Sequence, residues 1–311
     1  MTAKLENVFL DFVVDRHRIW EQRQAGLPGP WTMDPILRGH KFTNVFRVLD
    51  YGSQFLLSML TPNLSPREIL ARCFLYRHTG RVEPWRFFEV MHGRYPLVED
   101  FPLALETWKG YRGGTRRVTR NAGSAKAADP YTWDNPIFTS AYLVFPQSQT
   151  PGTDKLDSIV ALATRLFTTE DIMPAWLAAR SQEERFRILR RNHGVGDFMA
   201  MQVLTDWGYS QFGADLEDEF VVAGPGAVKG SKILFPTRKP LEVIHWAQRE
   251  ILMYPGTPTL PGGRTPSLMD VQNTLCEFSK YVRFMEKGSD SWTFHPAHPG
   301  PQQQPLIPSH W

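Results

Sequence analysis

Cysteine is scarce in this sequence, because the 311 residues include only Cys73 and Cys276. Two thiols cannot build a framework of disulfides, and so few cysteines are typical of a reducing compartment. An iron–sulfur cluster held by cysteines alone needs four thiolates. We therefore expect no iron–sulfur cluster, and the sequence indicates no other cofactor with certainty.

Long apolar runs are missing as well. No stretch approaches the roughly 20 consecutive apolar residues of a membrane-spanning helix. Residues 1–18 carry acidic side chains inside their apolar stretch, which is not the pattern of a signal peptide. We expect a protein without a membrane partner that is cytoplasmic, or nuclear if its source is eukaryotic.

A strong excess of one charge is also missing, since the net charge of +3 is too small to indicate nucleic-acid binding. Residues 109–126 are the exception, because they combine six basic side chains with four glycines and no acid. Such a stretch predicts a flexible loop that wraps a phosphate backbone, or else a solvated loop without a ligand. Its candidate DNA-binding residues are Arg112, Arg116, Arg117 and Arg120.

The sequence shows no convincing series of alternating strands, and apolar residues recur with a helical period, which predicts an all-α protein. Two capping boxes, at residues 65–68 and 181–184, indicate helix starts. Asp34 and Pro35 predict the start of a long helix over residues 35–60. We expect one helical domain over residues 1–287 and an extended or disordered tail, rich in proline and glutamine, over residues 288–311.

The most specific local pattern lies at residues 185–210, where Gly194, Val195 and Gly196 separate two predicted helices. Glycines permit a tight turn and leave backbone N–H groups open at the start of the second helix, a favourable place for a phosphate. The pattern predicts a helix-hairpin-helix element that docks on DNA without reading its sequence. The alternative is an ordinary turn that contains two glycines.

This region resembles helix-hairpin-helix DNA glycosylases similar to endonuclease III. The resemblance implies two helical lobes around a cleft and a catalytic aspartate after the second helix, where Asp218 fits best. That carboxylate would stabilise a cationic sugar or act as a general base on a flipped nucleotide, although a solvated acidic turn is the alternative. The cysteine cluster of that family is missing. Asp197 or Phe198 stands where its bifunctional members place a lysine, which argues against Schiff-base chemistry.

A glycine-rich segment follows the acids and contains Gly224, Gly226, Lys229 and Lys232. It is not a Walker A motif, because Gly230 is followed by serine and not by lysine. The segment predicts a phosphate or pyrophosphate held by backbone amides and the two lysines, or a purely structural turn.

Three polar residues of the N-terminal part, Asn44, Arg47 and Asp50, are spaced to share one face of the predicted helix. A polar face inside an apolar frame indicates a lined pocket. The alternative is a buried salt bridge from Arg47 to Asp50 or Asp34.

Several blocks resemble one known family. In one-letter code they are RHRIW at 16–20, PWTMDPIL at 30–37, FTNVFRVLD at 42–50, HGVGDFMA at 193–200, AGPGA at 223–227 and DVQNTLCEFSKY at 270–281. Over roughly residues 9–285 the chain is similar to the helical family linked to thymine hypermodification in phage DNA. That family includes α-glutamyl/putrescinyl-thymine pyrophosphorylase-like proteins and the helical domain of 5-hydroxymethyluracil DNA kinases.

This resemblance implies an enzyme of a bacterial or phage-infected cell that acts on 5-hydroxymethyluracil, or its phosphorylated form, in double-stranded DNA. It would act by transfer to the flipped base, and a separate P-loop DNA kinase is a candidate partner. Asp218, Asp50, Arg47 and Asn44 would be catalytic, with Arg47 and Lys229 holding a leaving pyrophosphate. The alternatives are a DNA N-glycosylase for a modified base and a non-catalytic DNA-binding partner of such a kinase. No histidine spacing predicts a metal site.

Overall fold

Helices make up all the regular secondary structure of the residues that the structure describes, which confirms the predicted all-α class. The structure is a computed structural model and describes residues 2–121, 136–139, 154–213, 217–287 and 304–311. Within these ranges no helix is both long enough and apolar enough to cross a lipid bilayer.

Thirteen α-helices follow one another along the described ranges. In chain order they are α1 (Thr2–Gln24), α2 (Pro35–Gly39), α3 (Tyr51–Met59), α4 (Pro66–Thr79), α5 (Glu83–His92), α6 (Phe101–Asn121), α7 (Lys155–Thr164), α8 (Met173–Ala178), α9 (Gln182–Arg190), α10 (Asp197–Gly208), α11 (Pro225–Leu234), α12 (Pro240–Met253) and α13 (Leu268–Lys287). Two short 3-10 helices lie at Arg47–Leu49 and Val98–Asp100, and one turn of π-helix lies at Arg165–Thr169.

The chain forms two compact units, one from residues 1–54 and 213–311 and the other from residues 55–212. In the first unit α13 packs against α1, α2, α11 and α12. Its apolar face is covered by aromatic rings, and those of Phe9 and Phe278 meet edge to face at 5.1 Å. This packing leaves the polar side chains of α13 to contact the segment between α2 and α3.

The contact between α11 and α13 is at backbone distance because two glycines of α11 face α13. A Cβ atom at Gly226 would lie 2.1 Å from Sγ of Cys276, and one at Gly230 would lie 2.0 Å from the carbonyl oxygen of Leu275. Atoms in a packed interior do not approach so closely, so with these neighbours the helix pair has no room for a Cβ atom at either position.

In the second unit α4 packs against α7 and α10. Ser65 begins α4 as the sequence predicts, with Oγ accepting a hydrogen bond of 3.2 Å from the N–H of Glu68. Arg77, near the end of α4, forms a buried bidentate ion pair with Asp206 of α10, and one of its two contacts is 2.8 Å. Breaking such a pair would leave a charge unpaired in the interior, so it fixes how α4 and α10 align.

The prediction of a flexible loop over residues 109–126 is wrong for residues 109–121, because α6 continues through Asn121. Lys109 pairs with Asp157 of α7 at 2.6 Å, and Arg112 pairs with Asp154, the N-cap of α7, at 2.8 Å. These two ion pairs hold α6 and α7 together, and they join residues far apart in the sequence. Residues 122–126 lie outside the described residues.

The single long helix predicted over residues 35–60 is also wrong. Asp34 does cap α2 as predicted, and its Oδ1 accepts hydrogen bonds from Ile36 at 2.7 Å and from Leu37 at 3.0 Å. The helix nevertheless ends at Gly39, because several backbone N–H groups beyond it donate to carboxylates instead of helical carbonyls.

Residues 304–311 form an extended segment that docks on the first unit. The side chain of Gln54 exchanges two hydrogen bonds with the backbone of Leu306, at 2.9 Å and 2.7 Å. The guanidinium of Arg264 lies 3.5 Å from the ring centroid of Trp311. Residues 288–303, which make up the rest of the predicted tail, lie outside the described residues.

Candidate functional site

Five polar side chains of α13 recur at every turn of the helix, at spacings of three, four or seven residues with one adjacent pair, so they align along one side of it. They are Asp270, Asn273, Thr274, Glu277 and Lys280. Each of them contacts the segment of residues 41–50 or the arginine that packs against it. A regular helix thereby positions an irregular loop, and that loop holds three of the residues predicted to be catalytic.

Hydrogen bonds from α13 fix the backbone of this loop. Oδ1 of Asp270 accepts from the N–H of Arg47 at 2.7 Å. The side chain of Asn273 donates to Oγ1 of Thr43 at 3.2 Å, and Oε2 of Glu277 accepts from the N–H of Thr43 at 3.3 Å. The loop conformation therefore depends on side chains more than 220 residues away in the sequence.

Asn44 and Asp50 lie together, as expected, but in a turn and not on one face of a helix. The N–H of Asn44 donates to Oδ1 of Asp50 at 2.8 Å, and the side-chain amide of Asn44 donates to the carbonyl of Leu49 at 2.8 Å. Both residues are half-buried. This turn presents an amide and a carboxyl group at the same place.

Arg16 of α1 lies beside this turn and is buried. Its Nη2 donates to Oγ1 of Thr274 at 2.8 Å and to the carbonyl of Asn44 at 3.3 Å. Its Nε and Nη1 have no hydrogen-bond partner among the described residues. Burial lowers the pKa of the guanidinium to about 10, while the charges of Glu277 and Asp50 oppose the shift. Arg16 is therefore a cation at neutral pH that the fold solvates incompletely.

The carboxyl group of Asp50 has an unusual proton affinity. Burial raises its pKa to about 7, against the opposing effects of the hydrogen bond from Asn44 and the charges of Arg47 and Arg16. A group that is partly deprotonated at neutral pH can both accept and release a proton, as a general base must.

Arg47 is buried, and its positive charge acts on two acids. It lowers the pKa of Asp50 and that of Glu217, although burial outweighs it at both. Asp34, the other partner proposed for Arg47, instead caps α2 and accepts a hydrogen bond of 2.6 Å from the hydroxyl of Tyr281. The electrostatic partners that the structure supports for Arg47 are thus Asp50 and the acids near the start of α13.

Glu217 is a site residue that the sequence reasoning missed. Its pKa is raised to about 8, first by burial and then by the charge of Asp270, against the ion pair of 3.0 Å that it forms with Arg264. Burial also raises the pKa of Asp270. No local pattern distinguishes Glu217 from the acids beside it, since its burial depends on α13. Within the described residues no three His, Cys, Asp or Glu side chains are grouped to hold a metal ion.

Asp218, the predicted catalytic aspartate, is exposed, and its side chain contacts the N-terminus of α13, which begins 50 residues later in the chain. Its Oδ1 accepts hydrogen bonds of 2.8 Å from the N–H of Leu268 and 2.7 Å from the side chain of Gln248. A carboxylate at a helix N-terminus accepts hydrogen bonds from free backbone N–H groups and interacts favourably with the positive end of the helix dipole. This gives Asp218 a structural task, and its catalytic role stays a prediction.

The glycine-rich segment forms the start of α11, with Gly224 as the N-cap. Gly226 is accounted for by its contact with Cys276. Lys229 and Lys232 are exposed on the same helix. The alternative of a structural turn explains Gly226, because close packing leaves no room for a Cβ atom there. Phosphate binding by this segment stays a prediction, and it depends on Gly224, Lys229 and Lys232.

In the second unit a turn joins α9 to α10 where the sequence predicts it. Gly194 adopts a φ of +97°, which only glycine adopts readily, and Val195 is buried beneath the turn. Gly196 is exposed, and nothing lies within 4 Å of a Cβ built on it. As the N-cap of α10 it supplies no side-chain hydrogen bond, and the first helical residue, Asp197, forms an ion pair with Arg190 of α9.

The predicted DNA-binding arginines of α6 are placed only in part. Arg112 is half-buried in its ion pair with Asp154. Arg116, Arg117 and Arg120 belong to the same helix, but their side chains lie outside the described residues. Their contact with DNA stays a prediction.

The fold and the site together define an all-helical protein with a buried group of acids and arginines and an exposed glycine turn. The chain belongs to the family of the helical domain of 5-hmdU DNA kinases, which matches residues 3–290. It is 26% identical over 310 residues to a 5-hmdU DNA kinase of Bacillus phage SP10, a match that spans 89% of this chain and 45% of that relative. The chain thus spans less than half of the relative's length. No solved structure is significantly similar to it.

Proposed function

We propose that this chain acts in the hypermodification of 5-hydroxymethyluracil in DNA, by transfer to the everted base. The observation that carries the proposal is the turn that brings the carboxyl group of Asp50 beside Asn44 and the buried guanidinium of Arg16, where burial raises the pKa of Asp50. It is supported by membership of a family named for 5-hmdU DNA kinases. An acid whose pKa is shifted by burial and by specific charged neighbours is a candidate for a reactive group.

The transfer can be written for a base whose hydroxymethyl oxygen already carries a diphosphate group. An incoming amine forms a bond to the methylene carbon, and the bond from that carbon to the phosphate oxygen breaks. Pyrophosphate leaves with the electron pair, and Asp50 takes the proton that the amine loses. We assign the leaving anion to Lys229, which is exposed on α11, and to the charge of Arg47.

DNA contact is assigned to the second unit. The exposed Gly196 at the start of α10 suits a backbone phosphate, since the charge of Asp197 in that turn is balanced by its ion pair with Arg190. Such a phosphate carries charge but no sequence information. Arg191, which precedes the turn, is exposed and has no ion-pair partner within the described part of the chain. These features support docking without sequence preference.

A non-catalytic DNA-holding role beside a separate kinase is the second candidate. It is favoured by the lack of a Walker A motif in residues 224–232, the segment that most resembles a phosphate loop. The glycosylase alternative depends on Asp218. Because Oδ1 of that residue is occupied by Leu268 and Gln248, the geometry favours it less.

The test is mass spectrometry of nucleosides after the protein is incubated with duplex DNA that contains 5-hydroxymethyluracil or its phosphorylated form. ATP and amine donors are included or omitted in separate reactions. A heavier nucleoside that requires the amine donor supports transfer, and one that requires ATP alone supports a kinase. A released base shows a glycosylase. Binding without any change in mass supports the non-catalytic role and removes Asp50 as a catalyst.

A further inference from the structure

The loop between α1 and α2 exposes large apolar side chains without a charged residue among them. Residues 25–33 of this loop, AGLPGPWTM, contain no acid and no base, and Asp34, the N-cap of α2, ends the loop. The side chain of Leu27 is 49% exposed and that of Met33 is 85% exposed, the largest exposure of any large apolar residue in the described part of the chain. Exposure of such apolar side chains to water is unfavourable, and a partner that covers them lowers the free energy.

The loop is nevertheless held in one shape. The indole N–H of Trp31 donates to the carbonyl of Leu27 at 2.8 Å, and the guanidinium of Arg23 lies 5.4 Å from the Trp31 ring centroid. At the far end Oγ1 of Thr32 accepts from the N–H of Asp34 at 3.1 Å. Leu27 and Met33 are therefore presented by a braced loop, so little conformational entropy is lost when a partner covers them.

Charges around the loop favour a polyanion as that partner. Arg38 and Lys41, which follow the loop, are exposed, and neither side chain has an ion-pair partner among the described residues. Three acids lie near these cations, and each has a partner. Asp34 is engaged by the N-terminus of α2 and by the hydroxyl of Tyr281. Asp15 pairs with Arg18 at 3.4 Å, and Asp11 accepts a hydrogen bond of 2.7 Å from the hydroxyl of Tyr254. Apolar tips beside unpaired cations suit a surface that offers phosphates on the outside and stacked rings within.

We propose that this loop is a wedge that enters the base stack of duplex DNA, with Leu27 and Met33 filling the space that an everted base leaves. The inference rests on the proposed function, because it takes DNA as the substrate. Proteins that kink or unstack duplexes insert leucine, methionine or proline side chains between base steps, and the inserted side chain offsets part of the cost of unstacking. A wedge in that space slows the return of an everted base.

The test uses a duplex that carries one 5-hydroxymethyluracil with 2-aminopurine beside it, whose fluorescence rises when stacking is lost. The variants are Leu27→Ala and Met33→Gln, the second being close in size and polar. Met33→Leu keeps an apolar tip. Met253→Gln changes a methionine that is 72% exposed at the end of α12 and serves as the matched control.

We expect the wild-type protein, Met33→Leu and Met253→Gln to raise the fluorescence. Leu27→Ala combined with Met33→Gln should reduce that rise at saturating protein by at least about threefold, while the salt dependence of DNA affinity stays the same, since phosphate contacts are intact. A wild-type rise in the double variant overturns the wedge and leaves the loop to a protein partner. Tight binding by the wild type with no rise overturns the wedge but not DNA binding, whereas no binding to the duplex overturns the wedge and the proposed function together.

Discussion

The carboxylate of Asp270 accepts a hydrogen bond of 2.7 Å from the backbone N–H of Arg47, 223 residues earlier in the chain. Its other oxygen accepts from the N–H and the hydroxyl of Ser267, which opens α13. One acid thus holds both the start of a helix and the turn in which Asp50 lies. The position of Asp50 consequently depends on α13 as much as on its own segment.

Asp50→Asn is expected to abolish base modification while the fold persists. The amide keeps an oxygen that can accept from Asn44 but cannot take a proton, so the rate should fall by about 10²–10⁴. The wild-type rate should rise as the pH passes through about 7, because the base form is populated above that pKa. This rise should disappear in the variant. Rates between pH 5.5 and 8.5 on 5-hydroxymethyluracil DNA provide the measurement.

The control for that experiment is Asp218→Asn. Asp218 is exposed and accepts from the N–H of Leu268. The asparagine keeps that hydrogen bond and loses only the negative charge at the N-terminus of α13, so stability should fall by no more than about 0.3–1 kcal/mol. Its rate should stay near that of the wild type. If Asp218→Asn abolishes base modification and Asp50→Asn retains it, Asp218 is the catalytic base and Asp50 has a structural role.

Glu217→Gln should make the protein relatively more stable at alkaline pH. The folded pKa of Glu217 is raised to about 8 from 4.5, so the folded state keeps a proton that the unfolded state releases. Stability contributed in this way is present below pH 4.5 and is lost as the pH rises to 8. The glutamine does not titrate. The difference in thermal unfolding midpoint, variant minus wild type, should therefore increase from pH 5 to pH 9. Each kcal/mol of difference in unfolding free energy corresponds to roughly 2–4 °C.

Thermal unfolding followed by circular dichroism at several pH values measures this difference. The matched control is Glu219→Gln, an exposed carboxyl group two residues further along, which stays in water in the folded state. A Glu217 variant that loses stability at pH 9 relative to wild type would mean that the ion pair with Arg264 outweighs burial, and this contradicts the prediction.

Gly230→Ala should destabilise the first unit by about 1–3 kcal/mol or more, because its Cβ would overlap the carbonyl oxygen of Leu275. Gly110→Ala in α6 is the opposite case, since nothing lies within 4 Å of the added atom. It should stabilise the protein by about 0.5–1 kcal/mol, as a helical glycine replaced by alanine does. Urea unfolding measures both changes, and equal effects of the two would refute the contact described for α11 and α13.

Arg191→Ala should weaken binding to duplex DNA about equally for all sequences. If Arg191 contacts one phosphate, the slope of log affinity against log salt should decrease by about 0.9. Arg67→Ala is the control, because that side chain is occupied by its ion pair of 2.7 Å with Asp171. Fluorescence anisotropy over a range of salt concentrations gives the slopes. An unchanged slope for Arg191→Ala means that this part of the turn does not contact DNA.

Features set by neighbouring residues could be predicted from the sequence. The capping serines Ser65 and Ser181, the aspartate cap of α2 and the glycine turn before α10 all depend on residues within one helical turn. The helical class follows from the same local patterns.

Features that depend on distant partners could not be predicted. The break in the helix predicted over residues 35–60 comes from acceptors on α13, and the helical course of α6 is supported by acids of α7. The choice between Glu217 and Asp218 is of this kind too. The two are adjacent in sequence, and only the position of α13 buries one and exposes the other. Local spacing carries no information about such burial.

The close contact of α11 with α13 also limits how relatives of this chain can vary. The obstacle at Gly226 is a side chain, so a larger residue there can be accompanied by a smaller one at Cys276. The obstacle at Gly230 is a backbone carbonyl, which no substitution removes. Homologous sequences that keep this helix pair should therefore show correlated exchange at the first position and invariance at the second.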